Sequence, residues 1–277
     1  MNRLQCLHQL AAKEVQAHLK SGWIAITGLA CAALSWFVGV HGFAFTGGQV
    51  QIETLLVSIV HLQLYTVPLL GLLLAYDAIL GERESGMFDL HLSLGLDKST
   101  FLVGKWVGLS LSLWLALLPG LAVQAWSLWA VGGSSSTFIL LLVYAALLGG
   151  AVLSLGLLLS CLSLNRSTVV SLGVGVWLAL AILLDFAAVV LLTHTQGTAP
   201  EWLVNALITT NPLGLYRLLS YMSFFPDQVE ALLGVSGFSP QLAAGAMLAW
   251  TAAPAWIALR KLGRHYRPIS REGGQLG

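Results

Sequence analysis

One segment of the chain, residues 77–105, gathers charged side chains between two long apolar runs. Its carboxylates can pair with basic groups of another molecule, and the large apolar side chains among them can fill an apolar pocket. Exposed apolar side chains among charges are typical of a surface that a partner covers. The segment therefore predicts a helix that docks on another protein. The alternative is a solvated loop whose apolar residues pack on its own parent helices. The residues expected to form the contact are Glu82, Arg83, Glu84, Met87, Phe88, Asp89 and Leu92.

Two further carboxylates lie in or beside apolar runs. Asp185 falls past the middle of the fifth run, where a charge costs about 2.5–3.5 kcal/mol on insertion scales. We expect it to face the protein interior, either as a polar hinge or relay or in a structural hydrogen bond, with Arg217 as the candidate partner. Asp77 lies at the edge of the second run and is expected to anchor the charged segment. Asn211 stands before a proline, where an apolar stretch must break.

Several kinds of chemistry are missing from the sequence. It has no glycine-rich loop that ends in Gly-Lys-Ser or Gly-Lys-Thr, because Gly104-Lys105-Trp106 lacks both the leading glycine and the hydroxyl. Its histidines and three cysteines lack the spacing of a metal site. A net charge of +1 without a basic stripe gives no sign of nucleic-acid binding. We predict no catalytic residue, no metal site and no directly bound cofactor, so any energy source must be a partner.

The composition indicates which elements must position these residues. The chain is 57% hydrophobic and 9% charged, with a mean hydropathy of +0.83, whereas soluble domains are about 25% charged. An all-α membrane protein is therefore expected, and runs of about 20 apolar residues are long enough to span a bilayer. The predicted spans are 23–43, 54–80, 106–131, 138–164, 168–193 and 242–259.

The polar segments around these spans complete the predicted organisation. Residues 1–20 have the apolar spacing of an amphipathic helix, predicted to lie in the membrane interface, or alternatively to pack on a soluble subunit. Residues 21–277 form a single transmembrane domain. It contains a coupling loop at 81–105, an outer loop at 194–240 and a basic tail at 260–277. The outer loop is expected to hold two short helices that dip into the outer leaflet; a seventh span is the alternative.

The distribution of cations predicts the orientation. With six spans, twelve of the thirteen Lys and Arg residues fall on one side of the membrane, and only Arg217 falls on the other. Positive residues concentrate in cytoplasmic loops. Both termini and the coupling loop are therefore predicted to be cytoplasmic.

Four short segments resemble a known family, the permeases of ABC-2 type ABC transporters. They are Lys13-Glu14-Val15, Leu74-Ala75-Tyr76-Asp77-Ala78-Ile79, Gly81-Glu82-Arg83-Glu84-Ser85-Gly86 and Leu102-Val103-Gly104-Lys105. Within that family the chain is most similar to permeases of nitrous oxide reductase maturation systems. The segments that carry this closer resemblance are Tyr76-Asp77-Ala78-Ile79 with Gly81-Glu82, Leu184-Asp185-Phe186, and Asn211-Pro212 with Tyr216-Arg217-Leu218-Leu219.

The resemblance implies a specific assembly. The chain would form a homodimer in the bacterial inner membrane, bound to cytoplasmic ATPase subunits that hold ATP and Mg, with membrane lipid around it. A helix within 82–98 would carry the ATPase motion into the spans, in the maturation of a copper site, with a periplasmic accessory protein outside. Two alternatives stay open. One is an ABC-2 exporter of a lipid, glycan or drug-like substrate, and the other is a membrane scaffold without transport.

Overall fold

A computed structural model of the chain describes residues 3–45, 52–163, 165–195, 200–226 and 239–265. All regular secondary structure within these ranges is helical, which confirms the predicted all-α class. Residues 1–2 of the predicted amphipathic helix and residue 164 of the predicted fourth span fall outside the described residues, and so do larger parts of two predicted regions. These are 196–199 and 227–238 of the outer loop and 266–277 of the basic tail.

Twelve α-helices in the described residues follow one another along the chain. They are α1 (Arg3–Lys20), α2 (Trp23–Phe45), α3 (Ile52–Ala75), α4 (Leu80–Glu84), α5 (Met87–Ser93), α6 (Lys98–Ala130), α7 (Ser135–Leu162), α8 (Arg166–Leu178), α9 (Leu184–His194), α10 (Glu201–Thr209), α11 (Pro212–Phe224) and α12 (Pro240–His265). A π-helical turn, Ala179–Leu183, joins α8 to α9, so that these two helices form one span. In the described part of the chain, six helical segments are long and apolar enough to cross a membrane, as predicted.

Two of the differences between the predicted and observed helix boundaries affect the charged segment. The third span begins at Lys98 rather than at 106, so Lys105 lies inside a helix and not in a loop. The helix α3 of the second span ends at Ala75 rather than at 80. The backbone N–H groups of Ile79 and Leu80 donate to the Ser160 hydroxyl of α7, at 3.2 and 3.1 Å. This contact satisfies backbone donors at the break and holds the start of α4 against α7.

Glycines allow the spans to approach each other closely. A Cβ atom at Gly156 of α7 would lie 2.6 Å from the Cβ of Ala75 in α3, which leaves no room for a larger residue. A Cβ at Gly120 of α6 would lie 2.9 Å from the Cβ of Cys31 in α2. Small residues at such crossings are typical of helix packing in membranes. The bundle core is therefore held by backbone-to-backbone proximity as well as by leucine packing.

Helix α1 lies against α6 of the same chain. A Cβ at Gly104 would lie 3.0 Å from the Cβ of Leu10, and a Cβ at Gly108 would lie 2.7 Å from the Cβ of Glu14. These two glycines stand one helical turn apart, so they open one face of α6 to α1. The position of α1 relative to the membrane surface stays a prediction.

Helices α10 and α11 form a hairpin before the last span. The Asn211 side chain caps α11 by accepting a hydrogen bond from the Leu213 N–H, and Pro212 occupies the first helical position, an arrangement that favours a helix start. The Trp250 indole of α12 donates to the Thr209 carbonyl at the end of α10, at 2.9 Å. We call residues 201–224 the α10–α11 hairpin.

Candidate functional site

A buried ionic network connects α1, α4 and α6. Lys105 of α6 is only 4% exposed. Its ammonium donates to Glu14 Oε2 of α1 at 2.7 Å and to Glu82 Oε1 of α4 at 2.9 Å. Charge-assisted hydrogen bonds of this length are among the stronger polar contacts in proteins. We call Glu14, Glu82 and Lys105 the ionic network; it unites three of the four segments that carry the family resemblance.

Side chains at the edge of the ionic network are more exposed. Lys13 also donates to Glu82 Oε1, at 3.1 Å, but 49% of its side chain is exposed. His91 of α5 lies 3.5 Å from the second oxygen of Glu82. Each of these contacts therefore pairs Glu82 with a residue of its own chain. The carboxylate is buried among the cations of its own chain that pair with it, and its role as a docking residue stays a prediction.

Arg166 at the start of α8 connects the two ends of the charged turn. Its guanidinium lies 2.8 Å from Glu84 Oε2 and 3.3 Å from Asp77 Oδ1. A Cβ at Gly81 would lie 2.9 Å from Asp77 Oδ2, so the Asp77 carboxylate packs closely against this glycine. Arg83 donates to the Cys161 carbonyl at the end of α7, at 3.0 Å. Asp77, Arg83 and Glu84 thus fasten the segment to the bundle.

A cavity of about 340 Å³ opens between α1, α4 and the start of α8. Asp77, Glu82 and Arg166 line it together with His18 of α1. Burial lowers the pKa of His18, although the nearby Glu14 carboxylate opposes that shift. The cavity holds charges of both signs beside the ionic network.

Phe88 does not lie on the surface, contrary to the docking prediction. It is 4% exposed and meets the Phe101 ring of α6 edge-on, with 5.2 Å between ring centroids. Leu92, one turn later, is partly buried against the same core. Burying an aromatic side chain of this size is favourable because it removes a large apolar surface from water, so this face of α5 packs against the bundle.

The opposite face of α5 is exposed. Leu90 is 49% exposed and Leu94, directly after α5, is 77% exposed, with Asp89 and Ser93 also on the surface. Met87 is intermediate. The sequence analysis did not identify Leu90 and Leu94 as contact residues. Two apolar pairs, Phe88 with Leu92 and Leu90 with Leu94, have the same spacing of four residues, and the spacing alone does not say which pair is buried. Gly86 and Gly95 have positive φ angles of 72° and 85° and lie on either side of the helix.

A second polar cluster lies between the membrane-spanning helices. The Tyr216 hydroxyl of α11 donates to Gln63 of α3 at 2.8 Å. Gln63 donates to Gln124 of α6 at 2.8 Å, and Gln124 donates to Ser35 of α2 at 3.1 Å. All four side chains are buried. Uncharged residues within apolar runs give a weak sequence signal, and none of these four was predicted as a site residue.

The three intramembrane and hairpin residues predicted from the sequence lie close together. Arg217 of α11 contacts the Asp185 carboxylate of α9 at 2.5 Å, which is the partner considered from the sequence. Asn211 donates to the Leu180 carbonyl of the π-helical turn at 2.9 Å. These contacts tie the hairpin to the fifth span. Among the described residues, no group of three or more His, Cys, Asp or Glu side chains is arranged to hold a metal ion.

Comparison with known proteins assigns the family. The model of a family described as ABC-2 family transporter protein matches residues 8–265. This chain belongs to that family. The permease is 31% identical over 255 residues to the probable ABC transporter permease protein NosY of Pseudomonas aeruginosa, with 89% of this chain and 92% of the relative covered. It is 30% identical over 268 residues to the NosY protein of Stutzerimonas stutzeri, with 91% and 94% covered.

Proposed function

We propose that this permease converts the ATP-driven motion of a partner ATPase into a conformational change across the membrane, in nitrous oxide reductase maturation. The observation that carries the mechanical part is the ionic network. Its buried ion pairs connect α4, which directly precedes α5, to the N-terminal helix α1 and to α6 of the third span. A displacement of α5 is therefore transmitted to both of these helices. The maturation role rests on the similarity to relatives named NosY.

The docking surface consists of the exposed face of α5 and the adjoining groove. Leu90 and Leu94 project from this face, beside Asp89. A groove of about 660 Å³ lies between α1 and the end of α5, and Leu94 lines it. The ATPase buries these leucines in an apolar pocket and places a basic group near Asp89. Isolated α5 motion is opposed by Phe88, which anchors the helix to α6.

The proposed orientation places α1, α5 and both termini in the cytoplasm of a bacterium. Twelve of the thirteen cationic residues then lie on the cytoplasmic side of the inner membrane, as the positive-inside rule requires. ATP and Mg bind the partner ATPase. The α10–α11 hairpin lies on the periplasmic side, where an accessory protein receives the motion.

The permease acts as a homodimer surrounded by lipid. The fifth span is the least buried of the six within the described chain. It carries Asp185, whose side chain is still 28% exposed although it pairs with Arg217. Because an exposed charge at membrane depth is costly in lipid, a second copy of the chain covers this face in the assembled transporter.

The test is co-purification of the permease with the ATPase subunit of its own transporter. Leu90→Asp combined with Leu94→Asp places charge in the proposed apolar contact, so the ATPase is lost from the purified complex. Ser85→Asp is the control, because it adds a charge at an exposed position just before α5, outside the proposed contact, and it keeps the ATPase. Retention of the ATPase by a correctly folded Leu90/Leu94 variant would refute the docking surface.

A further inference from the structure

The fifth span contains a change of helical register. Residues Ala179–Leu183 form a π-helical turn between α8 and α9. A π turn accommodates one more residue than an α turn, and such turns are rare and often occur at functional sites. Because each residue of an α-helix advances the chain by about 100° around the axis, this turn decides which way all of α9 faces.

Asn211 of the hairpin contacts this turn from outside the span. It is 2% exposed, and its two side-chain groups have different partners. The amide nitrogen donates to the Leu180 carbonyl at 2.9 Å, and the amide oxygen accepts from the Leu213 N–H at 3.0 Å. A buried carbonyl needs a hydrogen-bond partner, and where the helical ladder changes register a side chain can supply one. The Asn211 side chain therefore caps the N-terminus of α11 and also donates a hydrogen bond to a carbonyl of the π turn.

The hairpin contacts the span again just beyond the turn. Asp185 lies in the first turn of α9, and its carboxylate pairs with Arg217 of α11. Asn211 and Arg217 both belong to the hairpin and lie about two helical turns apart. The hairpin thus contacts the span within the π turn and again just beyond it. If the π turn became an α turn, α9 would rotate by about 100° and Asp185 would leave Arg217.

We propose that Asn211 is a positioning residue that keeps the fifth span in its π register, with Asp185 directed at Arg217. When the hairpin moves, the bond to Leu180 breaks, the turn rewinds as α-helix and α9 rotates. The proposal deepens the proposed function, since the ATPase-driven motion is what moves the hairpin. The link between Asn211 and the register of the span does not depend on the ATPase.

The experiment measures whether Asp185 and Arg217 still interact. The full-length permease is purified in detergent as Asp185→Asn, Arg217→Gln and the double variant, and the thermal unfolding midpoint of each is compared with that of the parent chain. For interacting residues the second substitution adds little to the first, whereas for separated residues the two effects add. We expect interaction in the parent chain. In an Asn211→Ser background, which keeps a capping oxygen but is too short to reach Leu180, we expect the two effects to add.

Two further variants make the result specific. Asn205→Ser is the same substitution on α10, where the side-chain oxygen has no hydrogen-bond partner among the residues that the structure describes, and it preserves the interaction. Deletion of Ile182 removes the extra residue of the π turn and gives continuous α-helix with α9 facing as before. This deletion restores the Asp185–Arg217 interaction to the Asn211→Ser chain, and restores folding if that chain fails to fold.

Two results would overturn the proposal. One is an Asp185–Arg217 interaction that persists in Asn211→Ser, and the other is a failure of the Ile182 deletion to restore it. Both readouts use the permease alone. A failed ATPase-docking experiment therefore contradicts the proposed function and leaves this result intact.

Discussion

Replacement of Lys105 by methionine tests whether the buried ionic network stabilises the contact between α1, α4 and α6, as its geometry indicates. Methionine has a similar length and an unbranched chain, so it fills the same space without the charge. The substitution leaves the carboxylates of Glu14 and Glu82 without the cation that both of them contact. We expect a large loss of stability, because a buried charge without its partner is not compensated by water.

The magnitude follows from the burial of the lysine. Removing one partner of a buried ion pair costs about 3–5 kcal/mol. Lys13 provides a matched control, since it donates to the same oxygen of Glu82 from a side chain that is 49% exposed. Exposed ion pairs contribute about 0–1 kcal/mol. The two Lys→Met variants should therefore differ by at least about 2 kcal/mol, which is about thirtyfold in the unfolding equilibrium.

The assay is unfolding of the purified permease by SDS in mixed micelles, followed by the loss of helical signal. Lys105→Met should unfold at a clearly lower SDS fraction than Lys13→Met. Adding Glu14→Gln to Lys105→Met should cost less than the two separate effects together, because it removes one of the stranded charges. Equal midpoints for the two lysine variants would refute the reasoning, since the buried ion pairs of Lys105 would then contribute no more to stability than the exposed pair of Lys13.

Two further predictions use the same measurement. Phe88→Ala should lower the free energy of unfolding by about 3–5 kcal/mol, because the ring packs on Phe101; Leu90→Ala, on the exposed face, should change it by no more than about 0.5 kcal/mol, and a similar loss for both would contradict the assigned orientation of α5. Burial lowers the pKa of His18 below its ordinary value of about 6.5, so the unfolded chain binds the proton more readily and stability should fall as the pH drops below that value. His18→Gln should remove this part of the pH dependence. If the variant loses as much stability at acidic pH as the parent chain does, His18 is not the group responsible.

The sequence by itself determined the helical class and the number of spans, because both depend on the local density of apolar residues. The length of each run fixes whether it can cross a bilayer, and the breaks fall where polar or turn residues interrupt it. The pairing of Asp185 with Arg217 was also within reach, because two opposite charges in apolar surroundings have few other partners.

Only the tertiary structure decided how the charged segment is used. Periodicity places Phe88 and Leu92 on one face of α5 and Leu90 and Leu94 on the other, but both faces are equally apolar in sequence. The approach of α6, with Phe101 at the contact, determines which face is buried. Glu14, Glu82 and Lys105 meet because the glycines of α6 admit α1, and Asn211 meets the π turn because the hairpin folds back on the fifth span. Contacts between residues so far apart in the chain depend on how helices pack, which local sequence patterns do not encode.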